Sequence, residues 1–289
     1  MSIGQVRSSF EEGVRVAFTV SFGANAWNAV CVVAGQNGIS TVRAIDQIYR
    51  GTVATGSPLV PHFVSQHPSL WNFGNGWFPY MGRELPRCFY KPWGAYYLIP
   101  YLQELYDVEH HPEAHEKVKL TFAAALATAE GAVAPLSWMT ARLQAGKAPF
   151  PTMEEAQGAN RFGIMFQSSG AQMARQFLIW YTWMSTEQQS IDLTRYMGVD
   201  PTTIPGITVQ SLMQAVPVTL ASYLPERLKN HIQVNPIRDQ NVYYTAFKQI
   251  VESQGIRGLG RGLMPKVIAT TFLAGGFNYL CNERKKRLV

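Results

Sequence analysis

Charge is scarce in this chain. Asp, Glu, Lys and Arg make up 15% of its 289 residues, against roughly 25% in ordinary soluble proteins. Cysteine is scarcer still. Cys31, Cys88 and Cys281 lie in apolar contexts with no metal-ligand spacing, which reads as buried thiols rather than a metal centre. No Gly-Lys-Ser/Thr phosphate loop and no nucleophile–base set is present, so an enzyme is disfavoured. The first ten residues lack the apolar core of a secretory signal. Arg7, Ser8 and Ser9 hint at a transit peptide, but Glu11 and Glu12 argue against it, so any targeting is expected to be internal. Mean hydropathy is −0.06, so no extreme hydrophobicity is advertised either.

Aromatic residues are abundant, with Trp 7, Tyr 13 and Phe 15. The formal net charge of +6 suits an anionic partner, whether nucleic acid, anionic lipid or an anionic solute. The charges that exist are also unevenly spread. Residues 14–35 carry only Arg15, residues 120–141 only Glu130, residues 162–184 only Arg175, and residues 201–225 none. Each run is long enough for a helix to cross a bilayer. Small residues recur every fourth place within them: Ala17, Ser21 and Asn25; Ala123, Ala127 and Gly131, then Pro135; Ser211, Ala215 and Thr219. That spacing lets membrane helices approach closely, although a buried helix of a soluble protein has the same look. The run from 120 is expected to continue as a helix past Pro135 to Gln144.

Between the runs lie polar segments. Residues 43–50, 61–66, 153–157 and 244–253 read as short polar helices. Residues 106–119 read as a charged connector. Its Glu109, His110, His111, Glu113, His115 and Glu116 raise the question of a metal. His111 and His115 have helical i,i+4 spacing, but without a second ligand pair the segment reads as solvated connector.

A glycine junction precedes three of the apolar stretches, at Gly76, Gly163 and Gly262, separated by 87 and 99 residues. The third is the fullest, running through Gln254, Gly255, Gly258, Gly260, Arg261 and Gly262 to Pro265 and Lys266. Glycine is dense there because a tight turn needs φ > 0. The order is threefold: long apolar helix, short polar helix, glycine junction, long apolar helix. Such self-similarity sets an architecture. Here it is six membrane helices, several only moderately apolar, as befits helices facing a wet interior.

These residues resemble the mitochondrial carrier family, whose fold is three such repeats around a central cavity. The family's first motif is Pro-x-Asp/Glu-x-x-Lys/Arg-x-Lys/Arg, and its second is Asp/Glu-Gly-x(4)-aromatic-Lys/Arg-Gly. Gln254-Gly255 and Arg261-Gly262 fit the second motif in repeat three, with Gly260 replacing the aromatic. Glu226 and Lys229 fit the acid and base of the first, if Pro225 is shifted by one. In repeat two Pro135 and Arg142 fit, with Ser137 at the acid and Thr140 at the base. In repeat one neither motif is intact.

The resemblance implies an all-α, multi-pass protein of the mitochondrial inner membrane. Its repeats are 1–108, 109–200 and 201–289, each with a short matrix-side helix. By the family's pattern, acids and bases of the first helices form one closing ring. The gate remnants here are Glu226, Lys229 and Arg142. A second ring offers Lys285 beside Asn282 in repeat three, Thr182, Trp183 and Thr186 in repeat two, and Ile99 near Gly94 in repeat one. None of these makes an ion pair. Positions about seven residues past each junction glycine contact substrate, which marks Arg83, Gly170, Ala171 and Ala269, with Arg175 further along. Arg83, Arg87 and Lys91 form one cationic stripe at i, i+4, i+8. It reads equally as an anion site or as a stripe paired with Glu84, lipid phosphates or a partner subunit. The junctions Gly76, Gly163, Arg261 and Gly262 imply bound cardiolipin, since helix N-termini hold phosphate through free N–H groups. No metal, other cofactor or nucleic acid is implied.

Intact packing features beside missing gate charges imply a non-transporting accessory subunit of a larger, respiratory-type complex. The exposed aromatics expected at Trp71, Trp77, Trp93, Trp180 and Trp183 would serve its lipid or protein interface. The alternative is a working carrier that exchanges an anionic metabolite or nucleotide. In the carrier topology the basic tail, Arg284 to Arg287, would face the intermembrane space.

Overall fold

The computed structural model describes residues 98–144, 147–156 and 160–256, with isolated positions on either side, among them Tyr90, Lys266 and Asn278. The described residues are all-helical, with no strand among them. The helices are α1 (Ile99–Leu105), α2 (His115–Ala132), α3 (Ala134–Gln144), α4 (Met153–Ala156), α5 (Arg161–Met165), α6 (Ser169–Tyr196), α7 (Ile204–Val234) and α8 (Val242–Gln254). The isolated positions after Gly255, including Lys266 and Asn278, are helical too.

Long α6 lies between α2 on one side and α7 on the other. The small-residue ladders sit in these seams. Ala123, Ala127 and Gly131 are buried on α2, and Ser211, Ala215 and Thr219 are buried on α7. A Cβ added at Gly131 would come within 2.9 Å of Met173 Sδ on α6, so the Met173 side chain lies over the space that glycine leaves open. Where large side chains enter the seam they interlock, as Phe122 and Trp180 do edge to face at 5.5 Å, so Trp180, expected as an exposed interface aromatic, is instead buried between α2 and α6. At the other end Trp138 is fully buried with Ile164, Met165, Ile232 and Ile237, tying α3, α5 and the end of α7 together.

Several expectations are corrected. The helix expected to run past Pro135 breaks at Val133, and the two parts bend by 59°. Pro135 has no N–H for the carbonyl of Gly131, and its ring crowds that turn. The fourth long helix begins at Ser169, not at Gly163, which lies inside the short α5. Asn160 caps α5 by accepting from the Phe162 N–H at 3.0 Å. The charged connector becomes α2 from His115 onward. The helix built on the charge-free run does not end with it at Pro225, because α7 continues to Val234 with Pro217 and Pro225 inside it. The short polar helices at 153 and 244 are present as α4 and α8.

Among the described residues, one helix, Ile204–Val234, is long and apolar enough to cross a membrane. The bent pair Pro112–Ala132 and Ala134–Leu143 also qualifies if it is a single broken span. Helix α6 has the length but not the apolar composition. The expected helices at 14–35, 43–50 and 61–66 and the three cysteines lie outside the described residues.

Candidate functional site

Helix α7 is built inside out. Its exposed side carries Ile204, Leu212, Val216, Leu220 and Leu224, while Gln210, Ser211, Gln214, Ser222, Glu226, Lys229 and Gln233 are buried. Both sets repeat at three to four residues, so each occupies one face of the helix. A water-soluble helix has the reverse arrangement. From Gln210 to Gln233 the buried polar file is about 35 Å long at 1.5 Å per residue, slightly more than a bilayer's hydrocarbon core.

At mid-file three helical segments converge on Glu226. Lys266 Nζ lies 2.5 Å from Glu226 Oε2, and Arg175 of α6 lies 3.6 Å from the same oxygen. Lys266 also donates to Ser222 Oγ at 2.8 Å and sits 5.6 Å from the centre of the Tyr223 ring. A buried carboxylate is tolerated only when paired and hydrogen-bonded, and here two cations share one acid. One helical turn on, Lys229 donates to Ser137 of α3 at 3.5 Å, and then Gln233 donates to Ser168 at 3.0 Å. Towards the opposite end Asn278 donates to Ser211 and Gln214, at 3.0 and 2.9 Å. On the α2 side Glu130 is fully buried. Tyr90 and Gln172 donate to its two oxygens at 2.5 and 2.6 Å.

Two properties follow. Gln172 Oε1, Gln214 Nε2, Gln233 Oε1 and Thr219 Oγ1 are buried with no hydrogen-bond partner among the described residues. Polar atoms so placed are served by water or a polar solute. The buried or nearly buried charges, setting aside the Arg142–Glu155 pair, are Arg175, Arg227, Lys229 and Lys266 against Glu130 and Glu226.

A second cluster clips the α3–α4 connector. Arg142 is 1% exposed. It grips Glu155 with both terminal nitrogens, the shortest contact being 2.8 Å, and donates through Nε to the Ala148 carbonyl at 2.7 Å. Glu155 also closes a capping box with Thr152, each backbone N–H donating to the other's side chain. Burial disfavours the charged Glu155 carboxylate, but the Thr152 N–H, the Arg142 guanidinium and Lys147 outweigh it and hold its carboxyl below the usual range. Burial and the nearby Arg142 charge push the Lys147 ammonium down. Lys147 donates to the Val234 carbonyl at 2.9 Å, fastening the connector to the end of α7.

The expected site residues meet different outcomes. Arg175 and Glu226 are brought together. Lys229 donates to Ser137, the residue standing at the acidic position of repeat two. Arg142 turns away from both to Glu155. Gly170 lies beside α8, where a Cβ would come within 2.5 Å of Tyr243 Oη, and Ala171 is buried. Thr186, at a second-ring position, bonds back to its own helix at Thr182 O. Gly76, Arg83, Arg87, Arg261, Gly262, Ala269 and Lys285 lie outside the described residues. No protein-family model matches the chain, and no curated protein matches it significantly.

Sequence reasoning missed Lys266, Ser222 and Gln172 as partners in the interior. A signal was present. Gln210, Gln214 and Ser222 of the charge-free run and Glu226 just after it lie at multiples of four residues, a helical spacing.

Proposed function

We propose that the chain is a six-helix, three-repeat protein of the carrier type in the mitochondrial inner membrane. It serves as a non-transporting accessory subunit of a larger assembly, such as a respiratory complex. The observation that carries this reading is the engagement of Glu226. The acid at the gate position is held by Lys266 and Arg175, so three helical segments are tied together at one carboxylate. A gate needs charges that pair in one state and part in another. Here one carboxylate is shared by two cations, so parting it from one leaves it held by the other. The outward Leu and Val stripe of α7 supports membrane residence. Large apolar side chains suit lipid, whereas helix packing favours the small residues that α7 turns inward. Cardiolipin at the glycine junctions belongs to the same reading.

The buried polar atoms of Gln172, Gln214, Gln233 and Thr219, which have no described hydrogen-bond partner, favour a second reading, exchange of an anionic metabolite or nucleotide. One experiment separates the two. Purified protein is reconstituted in liposomes and tested for counter-exchange of nucleotides and carboxylates, while its stoichiometry with respiratory complexes is measured in native membranes. Stoichiometric co-purification without exchange is expected. Robust exchange abolished by Arg175→Ala would overturn the structural role.

A further inference from the structure

The α6–α7 hairpin ends in an exposed tip. Helix α6 does not stop where its apolar part stops. From Glu187 onward its exposed positions include Glu187, Asp192 and Arg195. Exposed charges cannot face hydrocarbon, so this part of α6 lies beyond the hydrocarbon boundary. Nine residues separate Glu187 from Tyr196, about 13 Å of helix, while a headgroup layer is only about 5–8 Å thick. The tip therefore reaches water.

What it presents there is apolar. Leu193, Tyr196 and Met197 stand at i, i+3, i+4 on one face, with Ile204 at the start of α7. Tyr196 is 88% exposed and Ile204 72%. The tip is also rigid. Asp200 Oδ1 accepts from the Thr202 N–H at 2.8 Å, and Asp200 O accepts from Thr203 Oγ1 at 2.8 Å. Gly206 lets that loop lie directly on α7, since a Cβ there would meet Asp200 O at 1.9 Å. Gly198 closes α6 at φ +75°. A preorganised apolar surface loses little entropy on binding.

The rim selects the occupant. Glu187, Asp192 and Asp200 stand against Arg195, which is 3.6 Å from Asp192. Residues 187–204 thus sum to a formal charge of −2 in a chain of net charge +6. Anionic headgroups would be repelled, and a basic protein surface attracted. We propose that the α6–α7 tip is a protein-docking element that seats Tyr196 and its apolar neighbours in a pocket rimmed by Lys or Arg on a partner subunit. This rests on the accessory-subunit reading above.

The test has two arms. In the first, Tyr196→Cys is introduced with Cys31, Cys88 and Cys281 replaced by serine, and an environment-sensitive fluorophore is attached. In phospholipid nanodiscs holding only this protein, water-like emission is expected, and blue-shifted emission would mean that lipid covers the tip and overturn the proposal. In the second, native gels follow the full-length chain in its own membranes. Leu193→Asp with Tyr196→Asp should lower co-migration with the large assembly at least tenfold, and Asp192→Lys should lower it too. If the double variant fails to fold, Tyr196→Ser, at a solvent-exposed position, carries the same expectation. Wild type and tip variants co-migrating equally would overturn this inference alone. Wild type running alone would overturn the accessory reading with it.

Discussion

Replacing Glu226 by glutamine tests the interior most directly. The change is nearly isosteric but leaves Lys266 and Arg175 buried without their shared carboxylate. At an effective dielectric of about 20, the 2.5 Å contact corresponds to roughly 7 kcal/mol of gross attraction and the 3.6 Å contact to roughly 5. Desolvation cancels much of that. Breaking a buried pair by removing one partner costs about 3–5 kcal/mol net, because the remaining charge is uncompensated. With roughly 2–4 °C per kcal/mol in a chain of this size, Glu226→Gln should lower the apparent Tm by about 10 °C. The assay is thermal unfolding in detergent or nanodiscs, read by tryptophan fluorescence. Adding Lys266→Gln removes one orphaned cation and should recover part of the loss, a coupling visible in a double-mutant cycle. A Tm for Glu226→Gln within 2 °C of wild type would refute the claim that this carboxylate holds three helical segments together.

Three further outcomes are expected. Gly206→Ala drives a Cβ into a backbone carbonyl at 1.9 Å, which no rotamer relieves, so it should cost at least the 1–3 kcal/mol typical of overpacking, read from the same melting curves. Gly255 sits at φ +67°, ψ 177° after α8, a region essentially reserved for glycine. Gly255→Ala should cost about 1–3 kcal/mol, whereas Gly163→Ala, at an exposed position of α5 with its nearest neighbour at 3.7 Å, should be neutral or mildly stabilising; equal losses would refute the backbone argument. The Glu155 carboxyl is held below its ordinary range by Thr152, Arg142 and Lys147 against burial, and Asp239's by Thr245 and Asn241. Folded pKa values below the unfolded ones mean that these contacts stabilise fully above the unfolded values, near 4.5 and 3.8. The contribution fades as pH falls through the lower folded values. Pepsin should therefore cut around α4 and the start of α8 increasingly as pH drops from about 5 to 2.5, and Glu155→Gln should flatten that dependence.

The two polar clusters have different physical characters. Arg142 and Glu155 join segments thirteen residues apart, with a capping box already in place, so little chain entropy opposes them. Glu226, Arg175 and Lys266 come from segments forty or more residues apart and meet only after α6 and α7 have packed. The first cluster fastens a connector locally, and the second depends on the whole bundle. This is why Glu226→Gln is expected to move global unfolding, while acid is expected to act first on the connector.

Much of the helical layout was legible in the primary structure. Uncharged runs, small residues every fourth place, Thr152 three before Glu155 and the glycine after Gln254 each act through a few neighbouring residues, so sequence alone determines them. The positions of α4, α7 and α8 were recovered for that reason. Boundaries that depend on competition were not. Pro135 breaks its helix, whereas Pro217 and Pro225 are carried inside α7, and a list of residues does not say which proline the surrounding packing will accommodate. Partner choice was the least legible. Arg142 and Glu226 both looked like parts of one ring, yet one turns to a connector and the other to the interior. The sequence by itself determined which faces are polar and where the rare charges lie. Only the tertiary structure decided which charges meet, because electrostatic pairing depends on distances of a few ångströms between segments that the chain's order leaves far apart.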